Sequence, residues 1–359
     1  MRTLSEKDFL DSNALGRSVA IVLVVLCHVP ATGDFWTMLG PFMTSGKLAV
    51  SLFVFYSGLL LEYQSKRAGQ AFAIRPWLMK RFLRIYPTYW VGLLLTLVVG
   101  IVFNGKTYDI WTILANLSGM HLLMGSRIVS SGYGSPYWFI SLILVCYILF
   151  IFFHRVQLKE LLIVGAMSLS LAGLYTRYGH YLSILAFTPF FLGMFISDYL
   201  RKGRSIPGGF AAHFAVTFFL LCILVFVYKH HYFMQIRYNL KVYVEMLGCV
   251  CLTIIPVSLA FCIACTFRWL RKNLPGVLNM LLCIGNVSFA IYCLHEPMLV
   301  LLEKVSSAGH PIIGLFVYGI VVGLISWALT VVANRISTNF RFRQAGIGSA
   351  GWENRQSHL

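Results

Sequence analysis

The sequence predicts an all-α polytopic membrane protein with about ten transmembrane helices, a short interfacial or re-entrant segment and both termini in the cytoplasm. Three observations lead to this fold class. Of the 359 residues, 58% are hydrophobic and only 11% are charged, whereas soluble domains carry roughly 25% charged residues. Apolar runs of the length that crosses a bilayer recur along the chain. Lysine and arginine gather in alternate loops.

The apolar runs predict the helices in chain order. About 20 residues cross the hydrocarbon core, and ten runs approach that length: 14–30, 47–64, 86–103, 136–154, 159–176, 181–199, 212–229, 245–266, 281–302 and 311–333. The run at 112–124 is shorter and contains His121, so we expect an interfacial or re-entrant segment there. We expect residues 1–340 to form the transmembrane domain and residues 341–359 a short, flexible cytoplasmic tail.

The distribution of basic residues predicts the orientation. When the loops are assigned alternately to two sides, the side of the N-terminus holds twenty Lys and Arg and the other side eight, which with Arg17 make the 29 in the chain. Cytoplasmic loops carry the excess of positive charge, so both termini are predicted to be cytoplasmic. The same rule accounts for the net charge of +17, and we therefore expect the lipid bilayer, and no nucleic acid, as a partner.

The first predicted span carries two ionisable residues separated by an apolar stretch. Arg17 and His28 are eleven positions apart, and the residues between them are SVAIVLVVLC. At about 100° and 1.5 Å per residue, eleven steps return to nearly the same helix face about 16 Å further along. Ionisable groups are costly inside a span and are by default candidates for function. Arg17 is predicted near the cytoplasmic face, and His28 in the outer half of the bilayer.

Three more side chains are predicted at the depth of His28. Counting along the spans places His295 about fifteen residues into the ninth span, and Trp138 and Ser141 near the outer start of the fourth. A buried histidine is more often a packing residue, and a helical serine often bonds its own backbone. The common depth of the four residues favours a cavity.

The segment 66–84 carries six cations and no acid: Lys66, Arg67, Arg75, Lys80, Arg81 and Arg84. Arg81 and Arg84 are three positions apart and so lie on one side of a helix. Anchoring to anionic lipid explains such a segment, and so does a clamp for phosphates, which the arginine fork suits. A coenzyme A thioester fits the second interpretation, with its phosphates at Arg17, Arg81 and Arg84 and its extended arm reaching His28.

Four segments resemble the acyltransferase-3 family of membrane O-acyltransferases, which modify bacterial surface sugars and related acceptors. They are Arg17-x10-His28, the run SLFVFYSG ending at Ser57-Gly58, KRFLRIYPTYW at 80–90 with the R-x-x-R of Arg81 and Arg84, and SFAIYCLHEP at 288–297. The resemblance extends from about residue 13 to 335 and is to the stand-alone form, without the extracytoplasmic hydrolase-like domain of many relatives. The family often has an acid soon after the tryptophan of the fourth span, whereas FISLILVCY follows Trp138 here.

The resemblance implies an O-acetyltransferase of the bacterial cytoplasmic (inner) membrane. Its co-substrate would be cytoplasmic acetyl-CoA (acyl-CoA), without a bound cofactor, and its acceptor a hydroxyl of a cell-surface carbohydrate or a lipid-linked precursor. His28 matches the essential histidine of the family, Arg17 its partner, and Arg81 and Arg84 the donor-side motif.

Direct transfer is the chemistry we expect. Imidazole titrates near neutral pH, which suits His28 to act as a general base. His295 is expected to donate to the oxyanion or to hold the acceptor, Trp138 to stack on a sugar ring, and Ser141 to line the acceptor site. A covalent acyl-histidine is the alternative route.

Other chemistries and functions are less well supported by the residues. The sequence contains no G-x-S-x-G elbow and no zinc signature, and Cys262-x-x-Cys265 is more typical of packing, so no metal is expected. A transporter of a lipid-linked sugar or an anionic metabolite is the alternative function, because transporters also place ionisable residues inside the membrane.

Overall fold

The computed structural model describes residues 4–28, 46–69, 72–120, 137–157, 159–166, 187–204, 206, 209, 212–220, 223, 238–299 and 311–344. These residues are helical with short connections, and no β-strand occurs among them. The predicted all-α class is confirmed.

Nine helices are bounded within this part of the chain: α1 Glu6–His28, α2 Gly46–Ala68, α3 Ile74–Asn104, α4 Ile110–Leu117, α5 Trp138–Phe153, α6 Phe187–Arg201, α7 Tyr238–Asn273, α8 Pro275–Leu294 and α9 Pro311–Gln344. Six candidate spans are long and apolar enough to cross a membrane, in α1, α2, α3, α7, α8 and α9, while α5 is equally apolar but shorter. The protein is thus a multi-pass membrane protein by length and composition. The count of ten stays a prediction, because parts of the fifth, sixth and seventh predicted spans lie outside the described residues.

Several helices extend beyond their apolar runs. Helix α1 begins at Glu6, eight residues before the predicted span, because Ser5 and Asp8 form a reciprocal cap in which the Ser5 amide donates to Asp8 Oδ2 at 2.8 Å. Helices α7 and α8 are separated only by Leu274 where a loop over 267–280 was expected. Proline is well suited to the first position of a helix, as Pro275 is here. Hydropathy marks the apolar part of a helix and misses its polar ends.

The structure describes part of the predicted interfacial segment after α3 and the first residues of the predicted C-terminal tail. The predicted interfacial segment contains the eight-residue helix α4, capped by Asp109, which accepts the Thr112 amide at 2.9 Å. The hydrogen bonds from Thr112 hold the pKa of Asp109 below its ordinary value. His121 lies outside the described residues. Helix α9 continues past residue 340 to Gln344, so the predicted tail begins inside a helix, and its remainder lies outside the described residues.

The chain divides into two compact units. Unit 1 comprises residues 1–70 and 108–288, and unit 2 comprises residues 71–107 and 289–359. The predicted transmembrane domain over 1–340 therefore contains parts of both units.

Helix α2 is the centre of unit 1 and contacts α1, α5, α6 and α7. Its closest approach is to α6, where each helix has a glycine against the backbone of the other. A Cβ at Gly58 would overlap the Phe190 carbonyl oxygen, and a Cβ at Gly193 would overlap that of Phe55. Small residues allow this approach, which is a main source of helix association where lipid gives no hydrophobic drive. Gly58 ends the SLFVFYSG run, and packing explains its presence there.

Replacing Gly193 with alanine is expected to lower the free energy of unfolding by about 1–3 kcal/mol, the usual cost of overpacking. The added methyl group meets the carbonyl of Phe55 and, at 2.8 Å, the amide nitrogen of Leu59. Unfolding in mixed detergent, followed by circular dichroism, measures the change. Gly323→Ala on α9 is the matched control, since its Cβ would meet no described atom within 4 Å. Equal stability of the Gly193 and Gly323 variants would contradict the close approach of α2 and α6.

Ion pairs gather one set of chain segments at one end of unit 1. They are Asp8–Arg268 at 3.6 Å, Asp11–Arg271 at 3.8 Å and Glu62–Lys159 at 3.4 Å, and the Leu4 amide also donates to the Ile206 carbonyl at 3.1 Å. The contacts bring together the start of α1, the C-terminal ends of α2 and α7, and the segments that follow α5 and α6. The alternating loop assignment puts these same segments on one side. That this side is cytoplasmic stays a prediction.

Candidate active site

Helix α1 carries Arg17 and His28 on one continuous stretch of helix. Arg17 lies at its middle, since eleven residues (6–16) precede it and eleven (18–28) follow it within Glu6–His28. The spacing of about 16 Å on one face therefore holds. The predicted span begins at residue 14, three residues before Arg17, whereas the helix begins at Glu6, three turns before Arg17.

Small residues on either side of Arg17 fix α1 against its neighbours in unit 1. The ring of Tyr56 on α2 lies against Gly16, where a Cβ would overlap it. On α8, Gly285 lies against the carbonyl of Ala14. Ser18 donates a hydrogen bond to the carbonyl of Leu281. The backbone on both sides of Arg17 is thus held by close contacts, which limits the space that its side chain can reach.

His28 is the last residue of α1, and its ring has a defined tautomer. Pro30 disfavours helix for the residue before it, which explains the helix end. The Nδ1 atom of His28 lies 2.8 Å from the carbonyl oxygen of Val24, one turn earlier. A carbonyl can only accept a hydrogen bond, so Nδ1 carries the proton and the neutral ring keeps its lone pair on Nε2. The ring is partly exposed, and Nε2 is its basic atom.

Trp138 and Ser141 lie in the first turn of α5, also in unit 1. Trp138 is half-buried. Ser141 is fully buried, and its hydroxyl donates to the carbonyl of Gly119 at 2.6 Å, which ties α5 to the turn after α4. This bond gives Ser141 a clear packing role; acceptor binding by either residue stays a prediction.

His295 lies in unit 2, directly after the end of α8, and is 1% exposed. Its Nδ1 lies 2.7 Å from the carbonyl of Tyr292, so the argument used for His28 again places the proton on Nδ1. The hydroxyl of Tyr318 on α9 donates to the His295 carbonyl at 2.7 Å. Hydrogen bonds therefore hold both the ring and the backbone of His295, which lies two residues before Pro297.

Arg81 and Arg84 lie on α3 in unit 2, in different surroundings. Arg81 is half-buried, and its guanidinium carbon lies 5.5 Å from the centre of the Trp77 ring. Arg84 is exposed. The two arginines of the R-x-x-R motif are thus a fixed, partly enclosed cation and a solvent- or lipid-facing one.

Each unit holds part of the predicted site. Unit 1 contains Arg17, His28, Trp138 and Ser141, and unit 2 contains Arg81, Arg84 and His295. The common depth of the two histidines, Trp138 and Ser141 stays a prediction.

The structure adds residues that the sequence reasoning passed over. Tyr318 and Trp77 hold predicted site residues, and neither carries a local signal of that role. Glu62 does carry one, because it is an acid within the second apolar run, where ionisable groups are costly. It forms a buried pair with Lys159.

Taken together, the apolar helices define a multi-pass membrane protein, and the histidine at the end of α1 has its Nδ1 proton held by a backbone carbonyl. A family model described as an acyltransferase domain matches residues 9–331. The chain belongs to this acyltransferase family, and the resemblance found in the sequence is confirmed. No curated protein and no solved structure matches the chain at a significant level.

Proposed function

We propose that the protein is a membrane O-acetyltransferase of the bacterial cytoplasmic membrane. It takes the acetyl group from cytoplasmic acetyl-CoA and gives it to a hydroxyl of a cell-surface carbohydrate or a lipid-linked precursor. The single observation that carries the proposal is the state of His28, whose Nδ1–H bonds the Val24 carbonyl and leaves Nε2 as the base. Family membership supports the transfer of an acyl group; the donor and acceptor are part of the proposal.

The proposed reaction is direct. Nε2 of His28 accepts the proton of the acceptor hydroxyl while that oxygen attacks the carbonyl carbon of the thioester. The tetrahedral intermediate collapses, the carbon–sulfur bond breaks, and the departing thiolate takes the proton back from the imidazolium. The products are the O-acetyl ester and free coenzyme A, and neutral His28 is restored.

The bonds of His295 favour one of its two expected roles. Because its Nδ1 proton is engaged by the Tyr292 carbonyl, the neutral ring offers Nε2 only as an acceptor. An oxyanion needs a donor, which His295 would provide only as an imidazolium. We therefore assign His295 to holding the acceptor through a hydroxyl other than the one that reacts, and Arg17, Arg81 and Arg84 to the phosphates of the donor.

Proteoliposomes supplied with radiolabelled acetyl-CoA test the proposal. We expect free coenzyme A to form only when acceptor is present, with the label recovered in the acceptor, here a lipid extract and polysaccharide from the source cells. A transporter would instead move label or acceptor across the bilayer without release of coenzyme A. Mass spectrometry of the product identifies the added group, and no coenzyme A release with any acceptor fraction would contradict the enzyme.

A further inference from the structure

We infer that Trp77 is a positioning residue for the donor: its ring holds the Arg81 guanidinium in the place where that guanidinium meets the phosphates of acyl-CoA. This inference rests on the proposed function and adds to it a residue outside the motifs that the sequence brought forward. It concerns unit 2 alone, since Trp77 and Arg81 lie one turn apart on α3.

The ring of Trp77 is itself fixed. It is 7% exposed, and the ring of Phe72, from the segment before α3, lies 6.0 Å away between centroids, tilted by 56°. A tryptophan so enclosed has little freedom to change rotamer, because side chains in packed regions occupy defined wells. The Trp77 ring is therefore a rigid surface against which the Arg81 guanidinium lies.

Arg81 lies on the buried face of α3. At 100° per residue, Trp77, Thr88 and Gly92 fall within about 40° of Arg81, and both Trp77 and Thr88 are buried. Gly92 lies against the backbone of Cys293. A cation on such a face is costly unless something compensates its lost hydration. The face of an indole ring does so in part, since it attracts a guanidinium through its quadrupole.

A ring beneath a guanidinium leaves the arginine able to bind an anion. The ring attracts the charge of the guanidinium, and the N–H groups of a guanidinium lie in its own plane and point to its rim. Phosphate oxygens are bound by these in-plane donors, often two at a time. Because the Trp77 ring restricts the Arg81 side chain before the phosphate binds, less conformational entropy is lost on binding. Arg84 lies one turn later and is exposed, so its guanidinium keeps its hydration without an aromatic partner.

The test compares two donors in reconstituted full-length protein. Trp77→Leu is expected to raise the KM for acetyl-CoA about tenfold, the factor that a partly desolvated cation–π contact supplies. The kcat and the KM for the acceptor are expected to stay within about twofold, because the substitution weakens binding of the donor phosphates and leaves the reacting groups unchanged. Acetyl-pantetheine, which lacks the nucleotide phosphates, is expected to show the same KM with both proteins.

Two further variants complete the design. Trp90→Leu is the control variant, for which we expect wild-type KM values. Trp90 lies on the same helix, is 42% exposed, and its ring contacts those of Phe82 and Tyr86. Trp77→Phe keeps an aromatic face of weaker quadrupole and is expected to raise the KM for acetyl-CoA about threefold. This variant serves if Trp77→Leu does not fold.

The outcomes separate this inference from the proposed function. An active Trp77→Leu or Trp77→Phe protein with unchanged KM for acetyl-CoA overturns the inference alone. An equal rise in KM for acetyl-CoA and acetyl-pantetheine also overturns it, since a general disturbance of α3 would not distinguish the donors. Wild-type protein that releases no coenzyme A contradicts the proposed function instead.

Discussion

Replacement of His28 by alanine is expected to lower acyl transfer by about 10²- to 10⁴-fold, the range that a positioned general base contributes. The variant is expected to insert and fold, because His28 is the last residue of α1 and its ring is partly exposed, with Nδ1 bonded to a carbonyl of the same helix. Release of free coenzyme A by purified protein measures the rate, and size-exclusion chromatography in detergent checks the fold. A folded His28→Ala protein with wild-type activity would contradict the assignment.

Two variants separate the base from the helix-end hydrogen bond. His154, the residue directly after α5, is a counterpart of His28, with Nδ1 3.1 Å from the Phe150 carbonyl one turn earlier. His154→Ala loses the same kind of bond and is expected to keep its activity. His28→Gln keeps a donor for the Val24 carbonyl but has no basic nitrogen, so it is expected to be inactive. Activity in His28→Gln would leave only a structural role for His28.

The acyl-histidine route has a separate signature. Protein incubated with acetyl-CoA and no acceptor would accumulate an acetylated His28 peptide, detectable by mass spectrometry, and release one equivalent of coenzyme A. Direct transfer predicts neither. This measurement distinguishes the two routes without a substitution.

Replacement of Glu62 by alanine is expected to lower the free energy of unfolding by about 3–5 kcal/mol, the cost of leaving a buried charge without its partner. The Glu62 and Lys159 side chains are 0% and 2% exposed, and their charged atoms lie 3.4 Å apart. Lys159 also donates to the carbonyls of Phe153 and His154 at 3.2 and 3.1 Å, which satisfies the end of α5. Unfolding in mixed detergent measures the loss.

The cause of that loss is tested by removing both charges. Glu62→Met with Lys159→Met is expected to recover most of the stability, because a buried pair replaced by apolar side chains often costs nothing. Asp11→Ala, which breaks the exposed pair with Arg271 at the same end of unit 1, is the control and should cost at most about 1 kcal/mol. A double variant as unstable as Glu62→Ala would show that the pair is not the reason.

The sequence gives good access to features that depend on neighbouring residues. The Arg17–His28 spacing on one helix face follows from helix geometry alone, and α1 bears it out. The end of α1 at His28 follows from Pro30, and its start from Ser5-x-x-Asp8, a signal that the apolar run alone had hidden. The tautomer of His28 is also local, since its partner is one turn away.

The remaining features join residues far apart in the chain. Nothing near Lys159 names Glu62 as its partner, and nothing near Gly193 indicates that Phe55 lies against it. We expected Ser141 in an acceptor site. Only the fold shows that its hydroxyl donates a hydrogen bond to the carbonyl of Gly119. Arg81 and Arg84 are alike in sequence, yet the face that α3 buries separates them.

By itself the sequence determined that this chain is a helical membrane protein, where the apolar parts of its described helices lie, and that Arg17 and His28 share one helix. Hydropathy and helical period are properties of short segments, so each of these follows from residues within a few turns. Only the tertiary structure decided which helices meet and which polar groups become partners. In lipid every apolar helix face is equally well solvated, so close backbone contact and the pairing of buried polar groups select the neighbours.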